Sequence, residues 1–529
     1  MPKIGDRFVA EWDLTSPAFC SYETPDGYLG IDYLDSLDSR WTKHGLTLGP
    51  LVTVLDCSAR GATLANVNGF AVAPITMQAA GPFLYLSGGT RWGKVALTGG
   101  TSALTLSSDG SEGAMAEATT CVLYTKNAAG TEEISFGMAA TAYRVITTVG
   151  AGATDTDAAN DSTLIYSILA PAGSDAAYRQ IACLGRGSGT PHNKVDQITL
   201  SGTVTMKTPT ATTRATIAGE TFTFTGYALD GDRWLLGTSN GTYYLDQESQ
   251  AFSPTMEELD NDSAHCAQMQ KWSIFRNRIL VPLRRSLRYS KNVIEGASVG
   301  PETYRTNNSP INGQMTAFTS SERWGYGAFL NPVQDKTWLC AMRPRDVGDW
   351  HGNDISFYPI AKLADGIECR AAIYTGTQGN TARTMPLVVI GHDSNIASFD
   401  EGRVDIFPDD TSYNFAASGT GYLSEMRRDP QFNKDIDYLV VETTGCTASE
   451  TVTISLTTTD ENGTAETVQL GGPITTNGRH KIPVRGQTDM PLVRFPKPQI
   501  VLARGATTTL APKVKHFSMV GNLAELKLQ

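Results

Sequence analysis

The sequence is short of everything that would mark a nucleic-acid binder, a membrane protein or a metal site. Positive charge is in deficit: 43 Lys and Arg stand against 54 Asp and Glu, a net charge of -11. Phosphate backbones are held by clustered Lys and Arg that release counterions, so nucleic acid is not an expected partner. No window approaches the ~18 consecutive apolar residues of a membrane-spanning helix. The opening MPKIGDRFVAEWDL carries no apolar signal core, so the expectation is synthesis and folding in a cytoplasm without a signal peptide or membrane insertion. Eight cysteines, Cys20, Cys57, Cys121, Cys183, Cys266, Cys340, Cys369 and Cys446, are scattered without a CxxC pair, and the seven histidines show no ligand spacing. Small buried thiols are expected there, with no metal and no cofactor.

Charged residues make up only 18% of the chain while glycine reaches 51 of 529, a balance that favours a turn-rich, all-β protein over a helical one. The length exceeds the ~100–200 residues of one domain. The stretch Trp234–Asp246, WLLGTSNGTYYLD, sets the pattern: an apolar strand, a tight polar turn and a second strand closing on Asp246. Val388–Asp400, VVIGHDSNIASFD, repeats the order of parts, with Gly391 for Gly237 and Phe399-Asp400 for Leu245-Asp246. Self-similarity at such intervals is the mark of repeated sheets. Apolar strand centres near Leu86, Leu123, Ala182, Leu236, Val281, Leu339 and Val389 recur at intervals bracketing the ~40–50 residues of known propeller blades. The expected fold is a seven-bladed β-propeller over 56–429, with stacked sandwiches as the alternative. Loop insertions are expected at 150–162, 185–194 and 343–354, and the stretch PTMEELDNDSAHCAQMQKW is the one candidate for a helix or an irregular connection.

Residues 1–55 read as an extended N-terminal arm, broken by Pro17, Pro25 and Pro50 and free to dock elsewhere. All eight tryptophans precede Asp429-Pro430, after which the chain turns Thr- and Val-rich. Residues 430–529 are expected to form a separate β-sandwich or jelly roll, with hairpin signals at Asn462-Gly463 and Asn477-Gly478.

No catalytic constellation assembles by spacing. Gly237-Thr238-Ser239-Asn240-Gly241 fits GxSxG, but TYYLD follows as a strand, so Ser239 is read as a turn residue and not as a nucleophile. The oxygen-rich run Asp155–Asp161 lacks the turn glycine and distal Glu of a calcium loop and is read as a solvated loop. The candidate contact residues are Trp12 and Trp41 in the arm, Arg284, Arg285 and Arg288 in the basic hairpin RNRILVPLRRSLR, and Trp350 with His351 in the loop DVGDWHGND. An ordinary solvated strand face is the more economical reading of the arginines. For Trp350, a ring folded back on its own blade stands equal beside a ring that stacks on a sugar or anchors a protein.

The arm with TLGPLVTVLD, the copies WLLGTSNGTYYLD and VVIGHDSNIASFD, and the opening DYLVVETTG together resemble a family of tailed-phage virion proteins. That resemblance implies a structural component of the tail, neck or a fibre, host-facing in some positions, working by protein–protein contacts with other virion proteins in a symmetric homo-oligomeric assembly. It brings no catalytic motif. The rival classes are a glycan-binding propeller using loop aromatics and a polysaccharide-degrading glycosidase. The latter needs two carboxylates about 5–9 Å apart, and Asp346, Asp349 and Asp354 beside Trp350 are the acids to inspect.

Overall fold

The computed structural model describes residues 4–56 apart from 19, 21 and 41–44, the strands between 76 and 401 with few of their connections, and residues 414–459, 465–485 and 495–524. The chain is all-β, with no helix among the described residues.

Seven sheets follow one another along the chain, with strands spanning 76–106, 119–159, 164–216, 224–256, 273–298, 314–362 and 369–400. Each is an antiparallel meander in sequence order, the arrangement that short connections between consecutive strands produce. Each of the seven apolar centres read from the sequence falls in a different one of these sheets, five of them in its second strand.

Arg233–Thr238 pairs with Gly241–Asp246 from Arg233↔Asp246 to Thr238↔Gly241, and Leu387–His392 pairs with Asn395–Asp400 in the same register. A third copy, Phe83–Gly88 with Arg91–Ala96, matches them from Phe83↔Ala96 to Gly88↔Arg91. In every case the two-residue connection fixes the pairing.

First strands of successive sheets touch in two runs. Thr119–Lys126 lies against both Thr76–Ala80 and Leu164–Leu169, and the series from Phe224–Asp230 through Ser273–Phe275 and Gln314–Ser320 reaches Cys369–Tyr374. Cys369–Tyr374 in turn meets Thr76–Ala80, returning the last sheet to the first. The arrangement is β-propeller-like. The outermost strand of the last sheet comes from far upstream: Thr53–Asp56 pairs with Asn395–Asp400, from Ser398↔Thr53 to Asn395↔Asp56.

Two further sheets are built from both ends of the sequence. In one, Lys513–Ala524 is flanked on one side by Asn433–Thr444, which pairs on with Gly478–Pro483, and on the other by Arg7–Glu11 and Leu46–Leu48. In the other, the order is Ile31–Asp35, Ser418–Leu423, Lys497–Ala503, Thr451–Thr459 and Ala465–Gln469. Alternation decides which face is buried: Val452, Ile454 and Leu456 point inward between the outward Thr451, Thr453, Ser455 and Thr457, and Ile500 and Leu502 point inward on the neighbouring strand. These side chains share one core with Leu439, Val441, Phe517 and Met519 of the first sheet.

That core continues into Phe329, Trp338 and Phe357 of the 314–362 sheet, and Ala18 N donates to Phe357 O at 3.0 Å. Gly49 stands where the two parts meet. Its N donates to Ser36 O at 2.7 Å, and a Cβ there would lie 2.4 Å from Ile360 O, closer than any side chain allows.

Four expectations change. Residues 1–55 are not an extended arm: Arg7–Glu11, Ile31–Asp35 and Leu46–Leu48 each pair with a strand from beyond residue 417, and Thr53–Asp56 completes the last sheet of the series. Each of these strands gains a backbone partner within the chain, which a loose arm would lack. The composition change at Asp429-Pro430 is not where the strand partnerships change, since Ser418–Leu423 already pairs with Lys497–Ala503. The polar run at 155 is a strand in part, with Asp155–Ala159 pairing with Ala142–Ile146. Pro254 lies in the strand Phe252–Met256, and Gln270–Lys271 pairs parallel with Phe224–Asp230; the middle of that helix candidate lies outside the described residues.

Candidate functional site

The best-defined constellation of charged groups lies buried where the chain-end sheets meet the 314–362 and 369–400 sheets. Asp38 ends the short strand Leu37–Asp38, and its Oδ1 accepts from Arg40 N at 3.0 Å, a local turn that brings the Arg40 side chain back over the carboxylate. Arg40 then holds Asp38 in fork geometry, Nε at 3.0 and 3.1 Å from the two oxygens and Nη2 at 2.8 Å from Oδ2. Neither side chain reaches solvent. The guanidinium sits 5.3 Å from the Trp324 ring centre, and its Nη1 donates to Tyr326 Oη at 3.1 Å. Tyr326 donates in turn to Glu401 Oε1 at 2.6 Å.

Three segments remote in sequence are thereby tied together: 38–40, the strand Gly325–Asn331 and the residue just after Asn395–Asp400. A planar guanidinium suits this place because it satisfies a carboxylate with two donors, a phenol with a third, and an aromatic face with its own plane. Burial pushes the Tyr326 hydroxyl well above its ordinary range; Arg40 opposes the shift and Glu401 adds to it. The phenol therefore stays protonated and keeps donating. Glu401 Oε2 and Trp338 Nε1 are buried without a hydrogen-bond partner.

In the neighbouring core, Tyr33 stacks on Tyr422 at 4.9 Å and meets Trp338 edge-on at 5.6 Å. A second clamp joins 22–27 to 425–428. Arg428 donates to Glu23 from Nε at 2.8 Å and from its backbone N at 2.6 Å, while the Arg427 guanidinium lies 3.4 Å over the Tyr22 ring. These arrangements fix backbone segments to one another. None sets a nucleophile beside a base. Cys20 and Cys340 are poor nucleophiles as well: burial pushes Cys20 up to about 11 and holds Cys340 far above the ordinary thiol range. Among the described residues no three His, Cys, Asp or Glu side chains converge as a metal site requires.

Of the expected contact residues, the described ones are Trp12 and Arg288. Trp12 is buried within its own chain at 2% exposure, with Nε1 donating to Ser424 O at 2.9 Å and its ring edge-on to Phe517 at 5.4 Å. Its indole is a core group here and not an anchor for another subunit. Arg288 lies in the strand Leu287–Ser290, opposite Val281 on one side and Ser298 on the other. Trp41, Arg284, Arg285, Trp350, His351 and the acids Asp346, Asp349 and Asp354 lie outside the described residues. Ser239 lies outside the described residues; Gly241–Asp246, which follows it in the sequence, is a strand and not the helix that a serine-hydrolase turn leads into. Asp38, Arg40 and Glu401 were missed by sequence reasoning. The one local signal was the acidic run IDYLDSLDSRW, which places Asp38 and Arg40 two residues apart.

No family model matches the chain, and no curated protein does. Similar solved structures include the AfRom2 CNH domain, at 9% identity over 66% of this chain and 98% of that one, with a TM-score of 0.37. YCF48 bound to D1 peptide gives 9% identity over 66% and 94%, with a TM-score of 0.41. An exo-beta-1,3-galactanase from Phanerochaete chrysosporium gives 11% identity over 88% and 100%, with a TM-score of 0.30. At these identities and scores the likenesses carry no argument about what this chain does.

Proposed function

We propose that this chain is a structural building block of a tailed-phage virion, a seven-bladed β-propeller inserted into a β-sandwich and acting through protein–protein contacts. The observation that carries the reading is the weave. The sheets flanking Lys513–Ala524 and Ser418–Leu423 take strands from both ends of the sequence, and Thr53–Asp56 completes the last sheet of the propeller-like series. A disc whose first and last segments are both held in one compact unit resists opening by pulling or fraying, since a strand must leave a ladder before any end comes free. The buried fork at Asp38 and Arg40 serves the same end, because bidentate ion pairs fix geometry as well as adding energy. Rigidity without disulfides is what a repeated particle component needs. Cys20, Cys340 and Cys446 are buried and form no disulfide.

The test is quantitative mass spectrometry of purified phage particles whose genome encodes the chain. The reading expects a fixed copy number per particle that survives stringent washing. Absence from particles, with the protein recovered only in the soluble lysate, would remove it.

A further inference from the structure

Val9, at 57% one of the most exposed large hydrophobic side chains among the described residues, lies on a sheet edge. Arg7–Glu11 pairs on one side only, with Lys513–Ala524. Trp12 N donates to Phe517 O and Leu523 N to Asp6 O, which fixes the phase of the ladder. Residues 6, 8, 10 and 12 turn their backbone groups toward the neighbouring strand, and Arg7, Val9 and Glu11 turn theirs outward. The side chains follow the exposed–buried alternation of RFVAE, with Arg7, Val9 and Glu11 exposed and Phe8 and Ala10 in the core.

We infer that this edge pairs antiparallel with the same edge of a second copy of the chain, about a two-fold axis through Val9. The sequence is self-complementary in that register. Val9 faces Val9 of the second copy across the axis, and Arg7 of each copy faces Glu11 of the other. Each of the pairs 7–11, 9–9 and 11–7 has the outward backbone groups needed to exchange two hydrogen bonds. Opposite charges directly across an antiparallel pair stabilise it, and like charges oppose it. An edge merely guarded against association would be served by charges of one sign; here the signs are opposite and symmetric about an apolar centre.

The existing partners of these side chains permit the exchange. Arg7 Nη2 donates to Tyr438 Oη at 3.1 Å, and Glu11 lies 3.1 Å from His516 Nδ1, both exposed contacts. An isologous joint would make one continuous sheet from the six strands of each copy.

The experiment is sedimentation equilibrium on the full chain at micromolar concentration, with four variants. Wild type is expected to dimerise. Arg7→Glu places Glu opposite Glu, and Glu11→Arg places Arg opposite Arg, so each single change is expected to weaken the dimer about tenfold or more. The double variant Arg7→Glu with Glu11→Arg restores opposite charges and is expected to recover the dimer. Val9→Pro removes the central outward N–H without touching the ladder to Lys513–Ala524, and is expected to leave a monomer with an unchanged circular dichroism spectrum. A wild-type monomer, a dimer indifferent to all four variants, or a double variant no better than the singles would overturn the inference. So would a wild-type monomer whose edge is captured by a different particle protein.

Discussion

Arg40→Met should be among the most damaging single substitutions in this chain, and the structure says why. The methionine fills much of the space but donates nothing, so Asp38 loses the donors from Nε and Nη2 and Tyr326 loses the one from Nη1. Two buried carboxylates, Asp38 and Glu401, then remain with the cation between them gone. Breaking a buried pair by removing one partner costs about 3–5 kcal/mol. Replacing both partners is far milder, because no uncompensated charge remains. Asp38→Leu combined with Arg40→Met is therefore expected to recover about 2 kcal/mol of the loss, the coupling typical of residues in one network. Glu401 keeps its bond from Tyr326 in that background. The assay is urea denaturation followed by tryptophan fluorescence, with Trp324 reporting locally from beneath the guanidinium. A single variant that costs under about 1 kcal/mol, well below the range for a broken buried pair, or a double variant no more stable than the single, would refute the reasoning.

Three further predictions follow from the same contacts. Deleting residues 1–12 strips Arg7–Glu11 from Lys513–Ala524 and takes Trp12 from the core, so the product should aggregate, checked by solubility and light scattering; a free arm would come off without effect. Gly45→Ala should cost at least about 2 kcal/mol, since Gly45 has φ +68 and a Cβ would meet Val514 O at 2.1 Å. Gly5→Ala, at φ +89 but in open space, should cost only about 1 kcal/mol in thermal melts. Finally, burial raises the Cys20 thiol from its ordinary 9.0 to about 11, so the folded state keeps a proton that the unfolded state releases. That contribution to stability is present in full below pH 9.0 and is lost as pH rises through about 11. Native protein should leave Cys20 unmodified by iodoacetamide at pH 8, and rapid labelling without unfolding would contradict the burial.

What was legible in the sequence was local. The hairpins at 233–246 and 387–400 announce themselves because two-residue polar turns between apolar strands fix both strands and register. The strands after residue 430 were legible for the same reason, through alternation and the Asn-Gly pair that the sequence sets between Thr451–Thr459 and Ala465–Gln469. What failed was long-range. Arg7–Glu11 finds its partner more than five hundred residues downstream, and nothing in RFVAE distinguishes a paired edge from a loose arm. Prolines and acids made the segment look irregular, yet Pro50 bridges to Phe415 and the acidic Ile31–Asp35 pairs with Thr420–Leu423. Asp155–Ala159 escaped because its sequence, DTDAA, has no apolar alternation to reveal a strand. The junction was invisible for a chemical reason. Asp, Arg and Glu are rarely buried unless paired, and the pairing of Arg40 with Tyr326 and of Tyr326 with Glu401 exists only once the sheets have met.

The measurement that bears most directly on the account is an electron-microscopy map of intact particles, resolved well enough to trace strands, with copy number and symmetry read from the map. The account predicts discs of seven radial sheets, each carried on a two-layer unit containing both Arg7–Glu11 and Lys513–Ala524, repeated about a particle axis. Particles without such a density, or one in which residues 7–50 extend onto a neighbouring subunit and leave the edge of Lys513–Ala524 bare, would contradict it.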